Sequence, residues 1–423
     1  MFSLRRLCVA CALVSSARQS TASAQTSAQL SLPGVALERD SASRISDAKL
    51  AMLPSAQQAQ WRAYLARSTK NLVHDHAVVD AELNAAGVAK WKHATYIKAF
   101  AIESHWNTVW FRTPAALQLA QNLLSWQTPA GGWSKHVDMA ARGRAVGESF
   151  FSENDAWQWI GTFDNDATTT QLFLLGHVQL AQPEARIGTA FAKGLAYVLD
   201  AQYPNGCWPQ VYPLQGGYHD NATFNDDNMS EIGALLTDVA NGVYAFVPHA
   251  ERERAHDAVT QLVRCIVASQ VVVKGQRTVW GQQHDAITLA PTSARSYELV
   301  SLTGKESAHL VDFLMTLPSP DAHVVAAVYS AIDWFQHNKI HGLRYRDSEL
   351  TADTSAGPLW ARMAEIGTNR PMFFNRDGVT HYEWNALTDR RVGYAWYTDA
   401  PIATLAQFAV WSRTHPAPKE KKS

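Results

Sequence analysis

Two short acidic segments of similar sequence are the residues of this chain best suited to chemistry. Thr-Phe-Asp-Asn-Asp-Ala occupies 162–167 and Thr-Phe-Asn-Asp-Asp-Asn occupies 223–228, and each lies downstream of a turn that contains Trp. Carboxylate and amide oxygens are the ligands that Ca2+ prefers in proteins. Because equivalent places in a repeating scaffold can meet at one cleft, the pair predicts a shared cation site.

Arginine is the second residue type that could do chemistry here. Several arginines lie among aromatic residues in the last third of the chain, namely Arg295, Arg362, Arg370, Arg376, Arg390 and Arg391. A guanidinium group matches a carboxylate bidentately, so a row of them could line a groove for an acidic polymer. The alternative is an ion pair with an acid close in sequence, such as Glu298, Glu365, Asp377 or Asp389. For any one arginine, the structural ion pair is the commoner role.

The acidic segments stand at the starts of helical patterns, which offers a simpler role for them. Apolar residues at helical spacing follow both segments, over 167–175 and 229–236. An Asp or Asn at such a start commonly caps the helix, and the helix dipole favours further acids there only weakly. Capping accounts for one residue at each helix but not for three in a row, twice. The pattern therefore favours a functional cleft.

A longer repeat indicates which elements position these residues. An apolar helix, a Gln and a turn with a Trp recur three times, as Gln127 with Trp133, Gln202 with Trp208 and Gln270 with Trp280. Helical hairpins of this kind cannot bury their apolar faces alone, so they pack against one another. We expect an all-α fold, an α/α toroid-like barrel of helical hairpins with one long-loop face that carries the cleft.

The N-terminal residues are typical of a secretory signal. Arg5 and Arg6 precede a short apolar run over 7–14, and Ala-Ser-Ala at 22–24 fits a cleavage site. We expect a signal peptide over 1–24 and a secreted or periplasmic protein; the alternative is an unstructured start of a cytosolic chain. A partly helical extension over 25–89, a main domain over 90–412 and a disordered tail over 413–423 are expected to follow.

The charge balance excludes some classes of partner. Loss of residues 1–24 would remove Arg5, Arg6 and Arg18 from the 37 basic residues, leaving 34 against 38 acidic residues. Without a basic excess, no nucleic-acid binding is predicted. No apolar run reaches the roughly 18 residues that a membrane helix needs, so no membrane span is expected. We expect a monomer.

Two residue types leave their roles open at this stage. The chain has 15 Trp residues, which could be core mass or could stack on sugar rings. After the signal peptide two cysteines remain, Cys207 and Cys265. They could pair in an oxidising compartment or serve as small buried hydrophobes, and the sequence does not show whether they are near each other.

Seven motifs, in order, resemble those of the pectate lyases of polysaccharide lyase family 10. They are Gly-Gly-Trp-Ser-Lys at 131–135, Asp-Asn-Asp-Ala-Thr-Thr-Thr-Gln at 164–171, Tyr-Pro-Asn-Gly-Cys-Trp-Pro-Gln at 203–210, Phe-Asn-Asp-Asp at 224–227, Trp-Gly-Gln-Gln-His-Asp at 280–285, Ala-Arg-Ser-Tyr-Glu-Leu at 294–299 and Glu-Ile-Gly-Thr-Asn-Arg-Pro at 365–371. Each motif alone is weak, but seven in the right order is a specific signal. The similarity covers roughly 90–412 and identifies it as the catalytic domain.

The resemblance implies an α/α toroid-like fold, Ca2+ dependence and cleavage of polygalacturonate by β-elimination to 4,5-unsaturated oligogalacturonates. It also implies roles for single residues. Arg295 matches the position of the catalytic base. Asp226 matches the main Ca2+ ligand. Asp164 and Asn165 match residues that hold the substrate-bound calcium and the sugar.

Other residues follow from the resemblance with less support. Arg362, Arg376 and Arg391 match substrate-binding arginines by spacing more than by motif. Lys135 and Asp227 are expected as neighbours of the site, Lys135 on the substrate side and Asp227 on the metal side.

The chain departs from the family pattern at two positions, and two other functions fit part of the sequence. Cys207 and Ala167 stand where the family usually has Gly, so the turn at 207 and the helix start at 167 could differ. Asp164 and Asp226 could instead be the carboxylate pair of an inverting glycoside hydrolase on a similar toroid. A non-catalytic polyuronate-binding protein could use the same groove.

Overall fold

A computed structural model describes residues 45–152 and 159–418, so the predicted signal peptide lies outside the described residues. The described chain is mostly helical. Its α-helices are α1 (Asp47–Ala51), α2 (Ser55–Ala86), α3 (Pro114–Trp126), α4 (Thr169–Ala181), α5 (Ala185–Ala201), α6 (Asn228–Ala240), α7 (His249–Ser269), α8 (Gly304–Thr316), α9 (Ala322–His337) and α10 (Pro401–Trp411).

Short and long connections alternate along the chain from α3 to α10. Short loops join α4 to α5, α6 to α7 and α8 to α9, and each of these helix pairs is in contact. Short loops of this kind place consecutive helices antiparallel. Long loops over 127–168, 202–227, 270–303 and 338–400 make the remaining connections, so they belong to the opposite end of the hairpins.

The hairpins stack in chain order. One row of contacts runs through α4, α6, α8 and α10, and a second row runs through α3, α5, α7 and α9. Such stacking buries apolar faces that a single hairpin leaves exposed. Closure of the stack into a toroid is a further step, and it stays a prediction.

The Gln of each repeat joins its own turn to the next hairpin. The side-chain amide of each Gln donates to a carbonyl in its own turn and to another in the second helix of the next hairpin, as an amide can with its two N–H groups. The acceptors are Gly131 and Ala190 for Gln127, Gly206 and Ala258 for Gln202, and Thr278 and Ala327 for Gln270, all at 2.8–3.0 Å. These bonds fix the spacing between hairpins.

The Trp of each repeat is core rather than a sugar platform. Each ring is fully buried, and its indole N–H donates to a carbonyl near the end of the preceding helix. The pairs are Trp133 with Leu123, Trp208 with Val198, Trp280 with Ile266 and, in a fourth unit without the Gln, Trp360 with Phe335, at 2.7–2.9 Å. A buried indole N–H normally finds such a partner.

Short antiparallel strands tie one long loop to the next. The ladders between loops are β1 (Gly161–Thr162) with β2 (Val211–Tyr212), β3 (Ala222–Thr223) with β6 (Gln283–His284) and β7 (Leu302–Thr303) with β11 (Met363–Ala364). Within single loops, β4 (Val272–Val273) pairs with β5 (Gln276–Arg277), β8 (Leu343–Arg346) with β9 (Glu349–Ala352), β10 (Trp360–Ala361) with β14 (Tyr397–Thr398) and β12 (Phe373–Phe374) with β13 (Thr380–His381).

A disulfide resolves the open question of the two cysteines. Cys207, in the second Trp turn, is bonded to Cys265 in α7, with the Cα atoms 5.5 Å apart. The preceding Gly206 has φ +92°, and a Cβ there would lie 2.2 Å from the Gln261 carbonyl oxygen. The turn therefore approaches α7 closely enough for the bond, where the family usually has a second Gly.

Both ends of the described chain pack on the helical stack. In α2, the Tyr64 hydroxyl donates to the Ala201 carbonyl at 3.1 Å, and Asn71 donates to the Tyr212 hydroxyl at the same distance. In the predicted tail, the His415 ring stacks on Trp411 with centroids 4.2 Å apart. Within 45–152 and 159–418, every helix is too short or too polar to cross a bilayer.

Candidate active site

The two acidic segments fold into the same short turn. The first acidic turn (Asp164–Asp166) and the second acidic turn (Asn225–Asp227) are single 3-10 turns with left-handed residues inside. Asn165 and Asp226 occupy equivalent places, with φ 54° and φ 49°. Asn and Asp tolerate this conformation better than most residues, at a cost of about 1–3 kcal/mol each when strained. Such backbone is found where surrounding structure and function require it.

Capping does not explain the acids. The residue before α4 is Thr168, whose hydroxyl accepts from the Trp133 N–H at 3.0 Å and donates to the Thr162 carbonyl at 2.9 Å. The residue before α6 is Asp227, whose carboxylate pairs with side chains of α8. The carboxylates are thus available for the cleft or for ion pairs, as the functional interpretation of the sequence requires.

The structure brings the two acidic turns together. The Asn165 amide nitrogen lies 3.5 Å from Asp226 Oδ2, and the Asn225 amide donates to the same oxygen at 2.9 Å. The turns also contact each other along their backbones. One carboxylate and two amides, drawn from two repeats, therefore converge at a single place.

Asp164 is held in its charged form. Burial alone would raise its pKa, but the ion pair with Lys135, at 2.5 Å, together with the charge of Arg295 and the Gln210 amide, lowers the pKa of Asp164 to about 2. Within the described residues, its other oxygen, Oδ1, is buried and has no hydrogen-bond partner. A buried carboxylate oxygen without a donor is costly unless a ligand or cation approaches it.

Asp226 has different surroundings. Arg362 Nη2 donates to its Oδ1 at 3.0 Å, and the same nitrogen reaches Glu306 Oε1 at 2.7 Å. Burial is the main reason that the pKa of Asp226 is raised; the charges of Asp164 and Glu306 add to it, while Arg362 offsets part of it. The ionised form of Asp226 therefore gains from a further cation nearby.

Asp227 faces α8. Its carboxylate lies 3.2 Å from Lys305 Nζ and 2.6 Å from His309 Nδ1. Burial would raise the pKa of Asp227, but these two partners lower it. Asp227, predicted on the metal side, thus neighbours the site with its carboxylate already paired to two side chains of α8.

A further positional repeat supplies residues that the motif analysis missed. The second residue after each turn Trp interacts with a buried carboxylate of the site, and these residues are Lys135, Gln210, Gln282 and Arg362. Lys135 and Gln210 interact with Asp164, while Gln282, at 3.1 Å, and Arg362 interact with Glu306. The sequence signal is the series Trp-x-Lys, Trp-x-Gln, Trp-x-Gln and Trp-x-Arg, of which only Lys135 and Arg362 are predicted as site residues.

Arg295 is paired with the acid three residues on, as the ion-pair alternative predicts. Its Nε donates to Glu298 Oε2 at 2.7 Å and its Nη2 donates to Glu298 Oε1, so Nη1 stays outside the pair. Burial would lower the pKa of Arg295, but Glu298 outweighs burial and raises it well above its ordinary value. Arg295 also influences Asp164 and the half-buried Tyr218, which places it at the same site.

The remaining arginines differ in whether they are buried, paired with an acid or exposed. Arg362 is 7% exposed, and its guanidinium carbon lies 4.5 Å from the Tyr394 ring centroid. It therefore contacts the second acidic turn from the buried side. Arg391 pairs with Glu349 at 2.7 Å, while Arg376 is exposed. Arg390, which the resemblance does not select, lies 4.2 Å over the Tyr297 ring, as Arg295 does at 4.8 Å.

The donor set suits a hard cation only in part. Asp226, Asp164 Oδ1 and the Asn165 amide oxygen are the oxygen ligands that Ca2+ takes. In the described part of the chain, however, no group of three or more His, Cys, Asp or Glu side chains could hold a metal by itself. The residues therefore fit a Ca2+ ion that completes its shell of six to eight oxygens with a bound anionic ligand and water.

Comparisons with known proteins agree on one family. Residues 127–404 match the pectic acid lyase family. A family 10 polysaccharide lyase from Cellvibrio cellulosa is 31% identical, with a TM-score of 0.64, over 73% of this chain and 94% of that one. An aspartate-to-alanine mutant of such an enzyme from the same organism, in complex with trigalacturonic acid, has the same identity and TM-score and is covered over 96%. No curated protein matches the chain.

These matches confirm the resemblance drawn from the motifs. The family match extends over the acidic turns, the Trp turns and the arginine-bearing loops. The chain belongs to the pectic acid lyases of polysaccharide lyase family 10, and it is a polysaccharide lyase of the pectate lyase type.

Proposed function

We propose that this enzyme cleaves polygalacturonate by Ca2+-dependent β-elimination and releases 4,5-unsaturated oligogalacturonates. The observation that carries the proposal is the convergence of the two acidic turns, with the Asn165 amide 3.5 Å from Asp226 Oδ2 and the buried Asp164 Oδ1 without a donor. Support for the substrate comes from the relative that binds trigalacturonic acid.

Asp226 and Asp164, with the amide oxygen of Asn165, would hold the calcium. A bound Ca2+ would neutralise a uronate carboxylate and make the sugar C5 proton more acidic. The ion pair of Lys135 with Asp164 keeps that carboxylate charged and oriented. The Arg362 bond to Asp226, at 3.0 Å, fixes the second carboxylate. These contacts pre-organise the site before substrate arrives.

Arg295 is proposed to take the C5 proton, after which the bond from C4 to its oxygen breaks, C4=C5 forms and the leaving oxygen takes up a proton from water. A guanidine acts as a base only in its neutral form, and Glu298 favours the charged form. Activity should therefore rise toward alkaline pH. The Nη1 group, which lies outside the Glu298 pair, is the part of Arg295 free to approach a sugar.

Carboxylates of neighbouring sugar units would meet the arginines on the Tyr297 side. Arg390 forms no ion pair with a described carboxylate and stacks on Tyr297, whereas Arg391 is paired with Glu349. Arg376 is exposed, and its charge reaches Tyr297. We therefore favour Arg390 with Arg376 for substrate carboxylates, and we assign Arg391 and Arg362 supporting roles.

Digestion of polygalacturonate, followed by ultraviolet absorbance, tests the proposal. An unsaturated product absorbs, and the absorbance should appear with Ca2+ and disappear with EGTA. New reducing ends without absorbance would instead identify the inverting hydrolase. Calcium-dependent binding without either signal would identify a non-catalytic binding protein.

We also propose that the enzyme acts outside the cytoplasm, in the periplasm or beyond the cell. The disulfide between Cys207 and Cys265 supports this, because such bonds persist mainly in oxidising compartments. Fractionation of the natural host with an antibody against the chain tests it: recovery from the cytosol with reduced cysteines would reject secretion.

A further inference from the structure

In the third repeat, a lysine occupies the position that an acid and an amide occupy in the first two repeats. The N–H of Thr303 donates to the Trp280 carbonyl at 2.7 Å, as the threonine before each acidic turn does to its own turn Trp. Counting two residues on from each threonine gives Asp164, Asn225 and Lys305. Equivalent backbone positions therefore carry a negative, a neutral and a positive side chain.

Lys305 lies directly against the second acidic turn. Its Nζ is 3.2 Å from Asp227 Oδ2 and 3.9 Å from Asp226 Oδ1, with 29% of the side chain exposed. Arg362 already donates to the same oxygen of Asp226 at 3.0 Å. The carboxylate proposed as the main Ca2+ ligand therefore has two fixed positive charges on one side.

The fixed charges nearly balance the carboxylates without any metal. Lys135 pairs with Asp164, Arg362 with Glu306 and Asp226, and Lys305 with Asp227. A divalent cation near Asp226 would feel the repulsion of Lys305 and Arg362 as well as the attraction of the carboxylate. Arg362 is buried and shared among several acceptors, whereas Lys305 approaches from the partly exposed side.

We propose that Lys305 is a built-in counter-ion that makes Ca2+ binding by the free enzyme weak, so that tight binding requires a polyuronate chain in the cleft. A uronate brings further negative charge and further oxygen ligands, which offset the repulsion from Lys305. Calcium and substrate then bind with positive coupling, and the coupling is reciprocal by thermodynamic linkage. This inference rests on the proposed function and adds to it the element that sets its calcium requirement.

Calorimetric titration of Ca2+ into the substrate-free protein is the direct test. Lys305→Met removes the charge and keeps an unbranched side chain, and Lys305→Arg keeps the charge. We expect Lys305→Met to bind Ca2+ about tenfold tighter than the wild type, since the Lys305 charge, 3.9 Å from Asp226 Oδ1, acts on a bound ion through a partly screened medium. Lys305→Arg should bind like the wild type, and Lys98→Met, at an exposed lysine, serves as the matched control.

A second titration measures the coupling. In an Arg295→Ala background, which should bind trigalacturonate without consuming it, the ligand should tighten Ca2+ binding strongly in the parent and several-fold less with Lys305→Met. Melting curves show that each variant is folded, and Lys305→Gln replaces Lys305→Met if the latter is not. Ca2+ binding by the neutral variants that is no tighter than that of the wild type would overturn the inference.

The two proposals can fail separately. If EGTA leaves wild-type cleavage unchanged, calcium dependence of the reaction is wrong, whatever the titrations show. If EGTA abolishes cleavage while neutral variants at Lys305 bind Ca2+ no tighter than the wild type, only the role of Lys305 is wrong.

Discussion

Asp75 carries a buried carboxyl group in α2 that the proposed reaction does not use. Its surroundings predict how the stability of the protein depends on pH. It is 1% exposed, and within the described residues neither carboxylate oxygen has a hydrogen-bond partner. Burial raises its pKa to about 7, while the charge of Lys193 and the nearby Ala130 N–H offset only part of that cost. Tyr197 lies on α5, as Lys193 does, and it faces Asp75. Burial raises the pKa of Tyr197 well above its ordinary value, so its hydroxyl stays neutral between pH 4 and pH 9.

The sign of the effect follows from linkage. In the unfolded chain Asp75 loses its proton near pH 4, whereas in the folded chain it keeps the proton up to about pH 7. Between these values Asp75 binds fewer protons in the unfolded state, so its contribution to the free energy of unfolding falls as pH rises, and that contribution is level above about pH 7. At about 1.4 kcal/mol for each pKa unit, the loss is at most about 4 kcal/mol, and entry of water lowers it to about 2–4 kcal/mol.

Asp75→Asn keeps the shape and removes the charge, so it should remove this loss. We expect the variant to match the wild type near pH 4 and to melt about 3–5 °C higher near pH 9, from an unfolding entropy of about 2 cal/mol/K for each residue. Calorimetry in EGTA between pH 4 and pH 9 measures both, with Asp80→Asn, at an exposed acid of the same helix, as the control. A melting-temperature difference between Asp75→Asn and the wild type that is equal at pH 4 and pH 9 would refute the reasoning.

Three other changes test the site and the scaffold. Glu298→Gln should lower the pKa of Arg295, so the rise of the reaction rate toward alkaline pH should move to lower pH. Reduced activity without such a move would reject Arg295 as the base. Asp226→Asn should raise the Ca2+ concentration needed for half-maximal cleavage at least tenfold, and an unchanged titration would remove Asp226 from the metal site. Loss of the disulfide in a Cys207→Ala, Cys265→Ala double variant opens a loop closed over 58 residues and should cost about 2–4 kcal/mol in urea unfolding, whereas an unchanged midpoint would show that the bond adds no stability.

Local patterns predicted the parts of this protein that repeat. The Gln and Trp spacing predicted the hairpins because the bonds repeat in every unit. Each Gln amide donates to a carbonyl of its turn, and each Trp indole donates to a carbonyl of the preceding helix. The similarity of the two acidic segments indicated a shared place, since similar sequences form similar turns with left-handed residues. The pattern does not identify the fourth unit, because Asn338 stands where a Gln would be and the loop to Trp360 is longer.

Contacts between residues far apart in the chain could not be predicted from the sequence. Arg295 found its acid three residues away, as sequence proximity suggested, whereas Arg362 bonds Glu306 and Asp226, 56 and 136 residues away, rather than the nearby Glu365. Lys305 and Glu306 open α8 and read as ordinary first-turn residues of a helix. Their importance depends on which loop lies beside which, and the ladders between loops decide that.

The charges of the site are best understood as divergence among equivalent positions. A backbone that repeats its Trp-to-Thr bond three times presents three side chains to one place, and three acids there would repel one another strongly. Asp164, Asn225 and Lys305 avoid this, and the second residues after the turn Trp add Lys135 and Arg362 in the same region. The outcome is a site that is nearly neutral when empty and still rich in oxygen ligands. On the proposed mechanism, such a site would bind neither calcium nor a polyanion strongly alone but would favour the two together, as cleavage of an acidic polymer through a metal-bound carboxylate would require.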